Sequence, residues 1–290
     1  MNTNRFSRLL PALGLGLFLV GCGGEEALGP SSCETGETYG AITTKLAFSR
    51  LVSPTVAPGF DLDGRTSDVT DSLSCGKADF KDSEGRSGVD NQLAPLVPEV
   101  EKFVGDAIDG LLQGSINDGQ LVILMEMENV DDFTNDACVN FSVQVGVKRL
   151  PTLGTDGVIE AYQTFEPDPT ATRSHVTNAR IENGVLETGP FALAIPLAIF
   201  DVAFTLNVQD ARFRFAIDEE HKLKGYLGGG VLPQEILDGV ADGDGLEDLL
   251  PQIKVLLEAN TDLAYNEDTG KCEQLSATLD IEGVPAFLRR

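Results

Sequence analysis

Carboxylates are the side chains with the most chemistry to offer in this chain, and they gather in three clusters. The first holds Asp61, Asp63, Asp68, Asp71, Asp79, Asp82, Glu84 and Asp90. The second is Asp131, Asp132, Asn135 and Asp136, and the third is Asp242, Asp244, Glu247 and Asp248 in the run ADGDGLED. A hard divalent cation such as calcium takes about six to eight oxygens, supplied by closely spaced carboxylates and carbonyls on a loop that glycine allows to turn sharply. Asp-Leu-Asp-Gly at 61–64 and Asp-Gly-Asp-Gly at 242–245 offer that chemistry. The candidate ligands are therefore Asp61, Asp63, Asp68, Asp79, Asp82 and Asp90, with Asp242, Asp244 and Asp248 as a second set. Neither set completes an EF-hand. With Gly245 at the obligatory glycine, Val240 and Pro251 fall at the first and last ligand positions; with Gly85 there, Phe80 and Asn91 do. The competing reading is local, because Asp and Gly are also favoured in turns and helix caps.

Nucleophilic and general-base catalysis is poorly supplied. The two histidines, His175 and His221, sit in polar stretches and read as solvated side chains, and no GxSxG, HExxH or glycine-rich phosphate loop occurs. Ser74-Cys75-Gly76-Lys77 matches SxxK in letters, but its surroundings are polar and not helical in pattern. A pair of acids at a set separation is enough for glycoside hydrolysis, so an envelope hydrolase using paired carboxylates stays open.

The elements that must position these groups begin after a leader. Arg5 and Arg8 precede an apolar run over 9–20 that is too short for the roughly 20 residues of a membrane span. The run ends in Leu19-Val20-Gly21-Cys22, which resembles the lipobox of bacterial lipoproteins. The resemblance implies cleavage after residue 21, acyl chains on Cys22, and a membrane partner reached through that anchor, since two acyl chains suffice for stable attachment. Gly23 in place of aspartate resembles an outer-membrane sorting signal in Gram-negative bacteria. The expected location is thus the cell envelope at the outer membrane, with the face left open. Residues 22–38 read as the lipidated cysteine and a flexible tether rich in Gly, Glu, Pro and Ser, and 39–290 as a single β-rich domain with a long acidic loop over 52–90.

Removing residues 1–21 takes away two arginines and no acid, which leaves 19 basic against 46 acidic residues and moves the net charge from −25 to −27. Nucleic acid is excluded as a partner, because its affinity is built on Lys and Arg neutralising phosphates. The absence of Trp and the four Tyr count against a sugar platform of exposed aromatics. Cys33, Cys75, Cys138 and Cys272 remain after Cys22, an even number in an oxidising compartment, which implies two disulfides. The positions of Cys33 and Cys272 near opposite chain ends suggest that they pair, leaving Cys75 with Cys138.

Hydrophobic periodicity then predicts about nine strands, including 39–51, 121–127, 139–147, 202–208, 213–217, 222–231 and 274–281. A tight hairpin is predicted at Asn183-Gly184, whose residue types supply the positive φ angles of a type I′ turn. Helices are predicted from Pro98 to about Gly114 and between Pro233 and Leu263. This pattern points to a mainly β (α+β) fold, an antiparallel sandwich or partly closed barrel with two inserted helical regions.

The segments 88–94, 135–138 and 153–157 resemble stretches of uncharacterised predicted lipoproteins of Gram-negative bacteria, a resemblance that implies a surface protein and no particular activity. The expected function is a lipid-anchored extracytoplasmic binding or interaction protein, non-enzymatic, with calcium as its candidate ion and a protein or small molecule as ligand. The alternatives are the carboxylate hydrolase above and a carrier of an apolar ligand.

Overall fold

A computed structural model describes residues 36–104, 108–199, 202–241 and 249–289. In chain order the elements are β1 (Glu37–Phe48), β2 (Phe80–Lys81), β3 (Ser87–Val89), α1 (Val97–Val104), α2 (Ile108–Asn117), β4 (Ile123–Val130), β5 (Asn135–Val145) and β6 (Gln163–Phe165). They continue with β7 (Ser174–Glu182), β8 (Val185–Ile199), β9 (Val202–Ile217), β10 (Leu223–Val231), α3 (Pro233–Ala241), α4 (Leu250–Glu258), β11 (Leu263–Asn266) and β12 (Lys271–Leu288). The fold is mainly β, as the alternating pattern predicts.

Antiparallel pairing runs β1-β4-β5-β7-β8-β9-β10-β12, and β12 pairs back with β1, so the hydrogen-bonded path returns to its start. β11 adds a hairpin strand to the beginning of β12, and β6 lies parallel to its last residues. The path is narrow in one place. β7 and β8 pair only over 180–182 with 185–187, on either side of the Asn183-Gly184 turn, where φ is 52° and 77° as the type I′ reading requires.

The core lies against the faces of these strands. Phe141, Phe213 and Phe215 are almost fully buried and lie tilted against one another with ring centroids 5.2–6.3 Å apart, a spacing that adds to their burial. Packing nearly fills the apolar space between Val143, Leu193, Phe213, Leu227 and Ile281, where a void of about 10 Å³ remains, no more than one water occupies.

Three elements differ from the pattern-based expectation. The stretches 202–208 and 213–217 form one strand, because an extra residue at Asp210 (φ 50°) shifts the register from Gly228↔Arg212 to Gly230↔Gln209. Burial consequently switches from Leu206 and Val208 to Ala211, Phe213 and Phe215. Such a bulge breaks the period that a sequence reading follows. The first helical stretch continues to Asn117, past Gly114, and stops where Gly119 takes φ 65°. The second ends at Glu258, not Leu263, and 263–266 is β11 instead.

Candidate metal centre

The stretch between β1 and α1 is ordered by attachment to the sheet rather than by a period of its own. Phe60 is the main apolar peg. It is buried, lies 5.2 Å under the Arg214 guanidinium, and sits against β10 at Gly228, where a Cβ would come 2.4 Å from the Phe60 ring. Backbone bonds continue the attachment: Ser49 N–H donates to Thr278 O at 3.0 Å and Leu93 N–H to Ser276 O at 3.0 Å. The amide of Asn91 donates to Pro58 O at 2.8 Å and that of Gln92 to Ala78 O at 2.8 Å.

This folding brings Asp61, Asp63 and Asp90 together, each with a carboxylate oxygen within 4.8 Å of the others. Phe60 and Asp90 bridge as an antiparallel pair, which sets residue 61 beside residue 90 although they are far apart in the chain. Each acid is held by a backbone N–H. Gly64 N donates to Asp61 Oδ1 at 2.6 Å, Arg65 N to Asp63 Oδ1 at 2.9 Å, and Leu62 N to Asp90 Oδ2 at 2.7 Å. Asp61 is exposed, Asp63 half-buried and Asp90 only 3% exposed, so the group grades from solvent inward.

Two further acids stand behind the three. Asp79 accepts the Ser67 N–H at 2.6 Å and shares a side-chain hydrogen bond with Asp90. Asp262, in the turn before β11, is 3% exposed and accepts the Ser276 hydroxyl at 2.6 Å and the Ser276 N–H at 2.8 Å. Burial pushes the Asp90 carboxyl up to about 8, with the charges of Asp63, Asp79 and Asp262 acting the same way against the Leu62 N–H bond. Burial likewise pushes Asp262 up to about 7, aided by Asp79 and Asp63 and opposed by the Ser276 bonds. Asp79 also rises, through burial and then the charges of Asp63 and Asp61. Desolvation and like-charge repulsion both disfavour the ionised forms. Among the described residues the one guanidinium bonded to these acids is Arg65, which holds Asp63 at 2.6 Å and reaches Asp71 at 3.2 Å.

The other predicted ligands stand apart. Asp68 closes its own turn on the Thr70 N–H and hydroxyl, bonds that hold its carboxyl below the usual range. Asp82 organises the β2–β3 turn: burial raises it, but the Arg86 side chain and the Arg86 and Glu84 N–H groups outweigh this and lower it. In the second acidic cluster Asp136 accepts the N–H groups of Asp131 and Cys138, and Asp132 that of Thr134, which is turn chemistry. Asp242, Asp244 and Asp248 lie outside the described residues, as do Cys22 and Cys33. Asp262 escaped the sequence reading because no acid neighbours it in the chain; it reaches the group only through the β11–β12 hairpin.

The disulfide pairing is corrected. Cys75 bonds Cys272, with Cα atoms 6.0 Å apart, and Cys138 is also disulfide-bonded. The chain ends do meet, since Gly40 pairs with Ala286. But Cys272 sits at the opposite end of the same strand, about 45 Å from Ala286 at roughly 3.3 Å per residue. What lies beside Cys272 is the acidic loop, and Lys77 Nζ donates to Asn260 Oδ1 at 2.9 Å on the same seam.

A second concavity, a cleft of about 400 Å³, is lined by Gln120, Leu121, Lys148, Asp168, Thr172 and Thr205. Its lining brings together no group of acids comparable to the first. Comparison with protein-family models, with curated proteins and with solved structures gives no match for this chain.

Proposed function

We propose that this chain is a lipid-anchored envelope binding protein in which Asp61, Asp63 and Asp90 hold a divalent cation, with calcium the ion their chemistry suits. One observation carries the reading: three carboxylates from two separate segments converge within 4.8 Å, and the innermost is buried with no basic partner among the described residues. A buried carboxylate among others must share a proton or meet a cation. Hard oxygen donors on a turn containing Gly64 favour calcium over softer metals. The ion would bind one end of the acidic loop to the sheet and leave the loop surface as the part offered to a ligand.

Two observations weigh against the alternatives. A carboxylate hydrolase needs acids that reach substrate, and Asp90 and Asp262 are buried. A carrier of an apolar ligand needs interior room, and among the described residues the apolar void between Val143, Leu193, Phe213, Leu227 and Ile281 is only about 10 Å³. The lipid on Cys22 and the outer-membrane location are supported by the leader alone.

Thermal unfolding of the mature chain in EDTA and then in millimolar calcium tests the site. Saturation at about 100 times Kd adds roughly 2.7 kcal/mol, which at about 2–4 °C per kcal/mol raises the midpoint by about 5–10 °C. An unchanged midpoint overturns the cation reading. Mass spectrometry of the N-terminal peptide tests the anchor separately.

A further inference from the structure

The strand β8 has an edge that the rest of the sheet leaves open. Val185, Leu186 and Glu187 pair with β7, but from Thr188 to Ile199 β8 pairs with β9 alone among the described residues. One bond fixes which way the open edge points. The Ser174 hydroxyl of β7 donates to Ala192 O at 2.8 Å, so that carbonyl is directed toward β7 and away from β9. The polar groups of a strand alternate between its two sides with a period of two. The N–H and C=O of Ala194 and the C=O of Pro196 therefore point the same way as the Ala192 carbonyl. Pro196 agrees with this sense, because a proline is tolerated in a sheet where its missing N–H would have faced outward.

The open edge borders the cleft of about 400 Å³, a volume within the range of ligand sites. Ala194 and Pro196 line it from β8, Val145 and Lys148 from the end of β5 and just beyond, and Asp168 and Thr172 from the chain entering β7. The far side is already paired with itself: Val145 O accepts the Asp168 N–H at 2.9 Å, and the Val147 N–H goes to Glu166 O at 2.8 Å. It therefore offers no strand to Ala194, which is exposed. Main-chain donors and acceptors are left without a protein partner in a concave place.

An open strand edge is a template for a further strand. We propose that this cleft binds an extended peptide, which lies beside β8 and exchanges main-chain hydrogen bonds with Ala194. The ladder is short, because Ser174 occupies the Ala192 carbonyl on one side and Pro196 lacks an N–H on the other. It suits a brief peptide segment better than the long edge of a second copy. Of the two charged side chains in the lining, Asp168 gives one oxygen to the N–H and hydroxyl of Thr170, whereas Lys148 has no hydrogen bond or ion pair among the described residues. A carboxylate on the peptide thus meets an uncommitted cation. The site lies outside the acidic loop and rests on neither the cation nor the lipid proposed above.

The probe is a phage-displayed library of short random peptides, selected on the full chain and resynthesised with a fluorescent label for anisotropy. Ala194→Pro removes the edge N–H and leaves the pairing with β9, so it should weaken the selected peptides by about tenfold or more. Ala194→Ser keeps that N–H and should bind within about twofold of the parent. Methylating the peptide's own amides one at a time should weaken binding at every second residue, as expected of a strand that faces its neighbour with alternate groups. This scan uses the unaltered protein, so it decides the matter even where Ala194→Pro fails to fold. Failure to enrich any peptide, equal binding by the parent and a folded Ala194→Pro, or losses without a period of two each overturn the proposal. A parent that is dimeric where Ala194→Pro is monomeric also overturns it, and assigns the edge to a second copy of the chain.

Discussion

The Ser276 hydroxyl donates to Asp262 Oδ2 at 2.6 Å, and its oxygen accepts the Gln92 N–H at 2.7 Å. One buried serine on β12 thus joins the carboxylate behind the candidate metal centre to the chain that leads from Asp90 into α1. The acidic loop is fastened at three levels, to β12 by Cys75 to Cys272 and by Gln92 to Ser276, and to the connection between α4 and β11 by Lys77 to Asn260. Its stability and the cation affinity proposed for it are therefore linked.

The protonation of Asp90 and Asp262 sets a pH dependence. Both carboxyls lie well above their ordinary value of 3.8, near 8 and near 7, so the folded chain binds more protons than the unfolded one between these limits. The stability they contribute is complete below about pH 4 and is lost as pH rises through 7 and 8, with a slope of up to about 1.4 kcal/mol per pH unit for each proton released. Calcium competes with those protons. Melting curves at pH 5 and pH 8 should show an EDTA-treated protein that is less stable at pH 8 and a calcium increment that is larger there.

Asp90→Asn separates charge from packing. The variant keeps the volume and removes a buried carboxylate, so at pH 8 in EDTA its midpoint should equal or exceed that of the parent, while its calcium increment vanishes. Asp68→Asn, on an acid that bonds only its own turn, should keep the increment in full. Calcium titration calorimetry on the two variants checks both outcomes.

Gly228→Ala drives a methyl group into the Phe60 ring and should cost about 1–3 kcal/mol. Phe60→Ala removes the peg itself and should cost about 3–5 kcal/mol. Both variants should also weaken calcium binding, because the residue after Phe60 is the first of the proposed ligands. Urea unfolding at fixed calcium measures the first effect and calorimetry the second.

The Cys75–Cys272 bond spans 197 residues. Replacing both cysteines by serine should cost about 2–5 kcal/mol and lower calcium affinity through the loosened loop. A non-reducing peptide map should recover residues 75 and 272 in one linked peptide, and recovery of a peptide linking 75 to 138 would refute the pairing.

The sequence made some of this legible because local chemistry decided it. Asn183-Gly184 announces its turn, and Val139, Phe141 and Val143 announce a strand buried on one face. The grouping of Asp61, Asp63 and Asp90 lay within the predicted loop, yet spacing alone gave no reason to drop Asp68 and Asp82, whose bonds are to their own turns. Asp262 and the partner of Cys272 were hidden for another reason: both depend on which segment the hairpin packs against, and no local period records that. The bulge at Asp210 hid a strand by breaking its period at the midpoint.

β12 pairs with β1, β6, β10 and β11, and it follows all four in the chain. A polypeptide emerging amino end first cannot close this sheet until β12 has emerged. β1 is made first and lacks its β12 partner until then, and contact between strands so distant in sequence makes closing the sheet a slow step of folding.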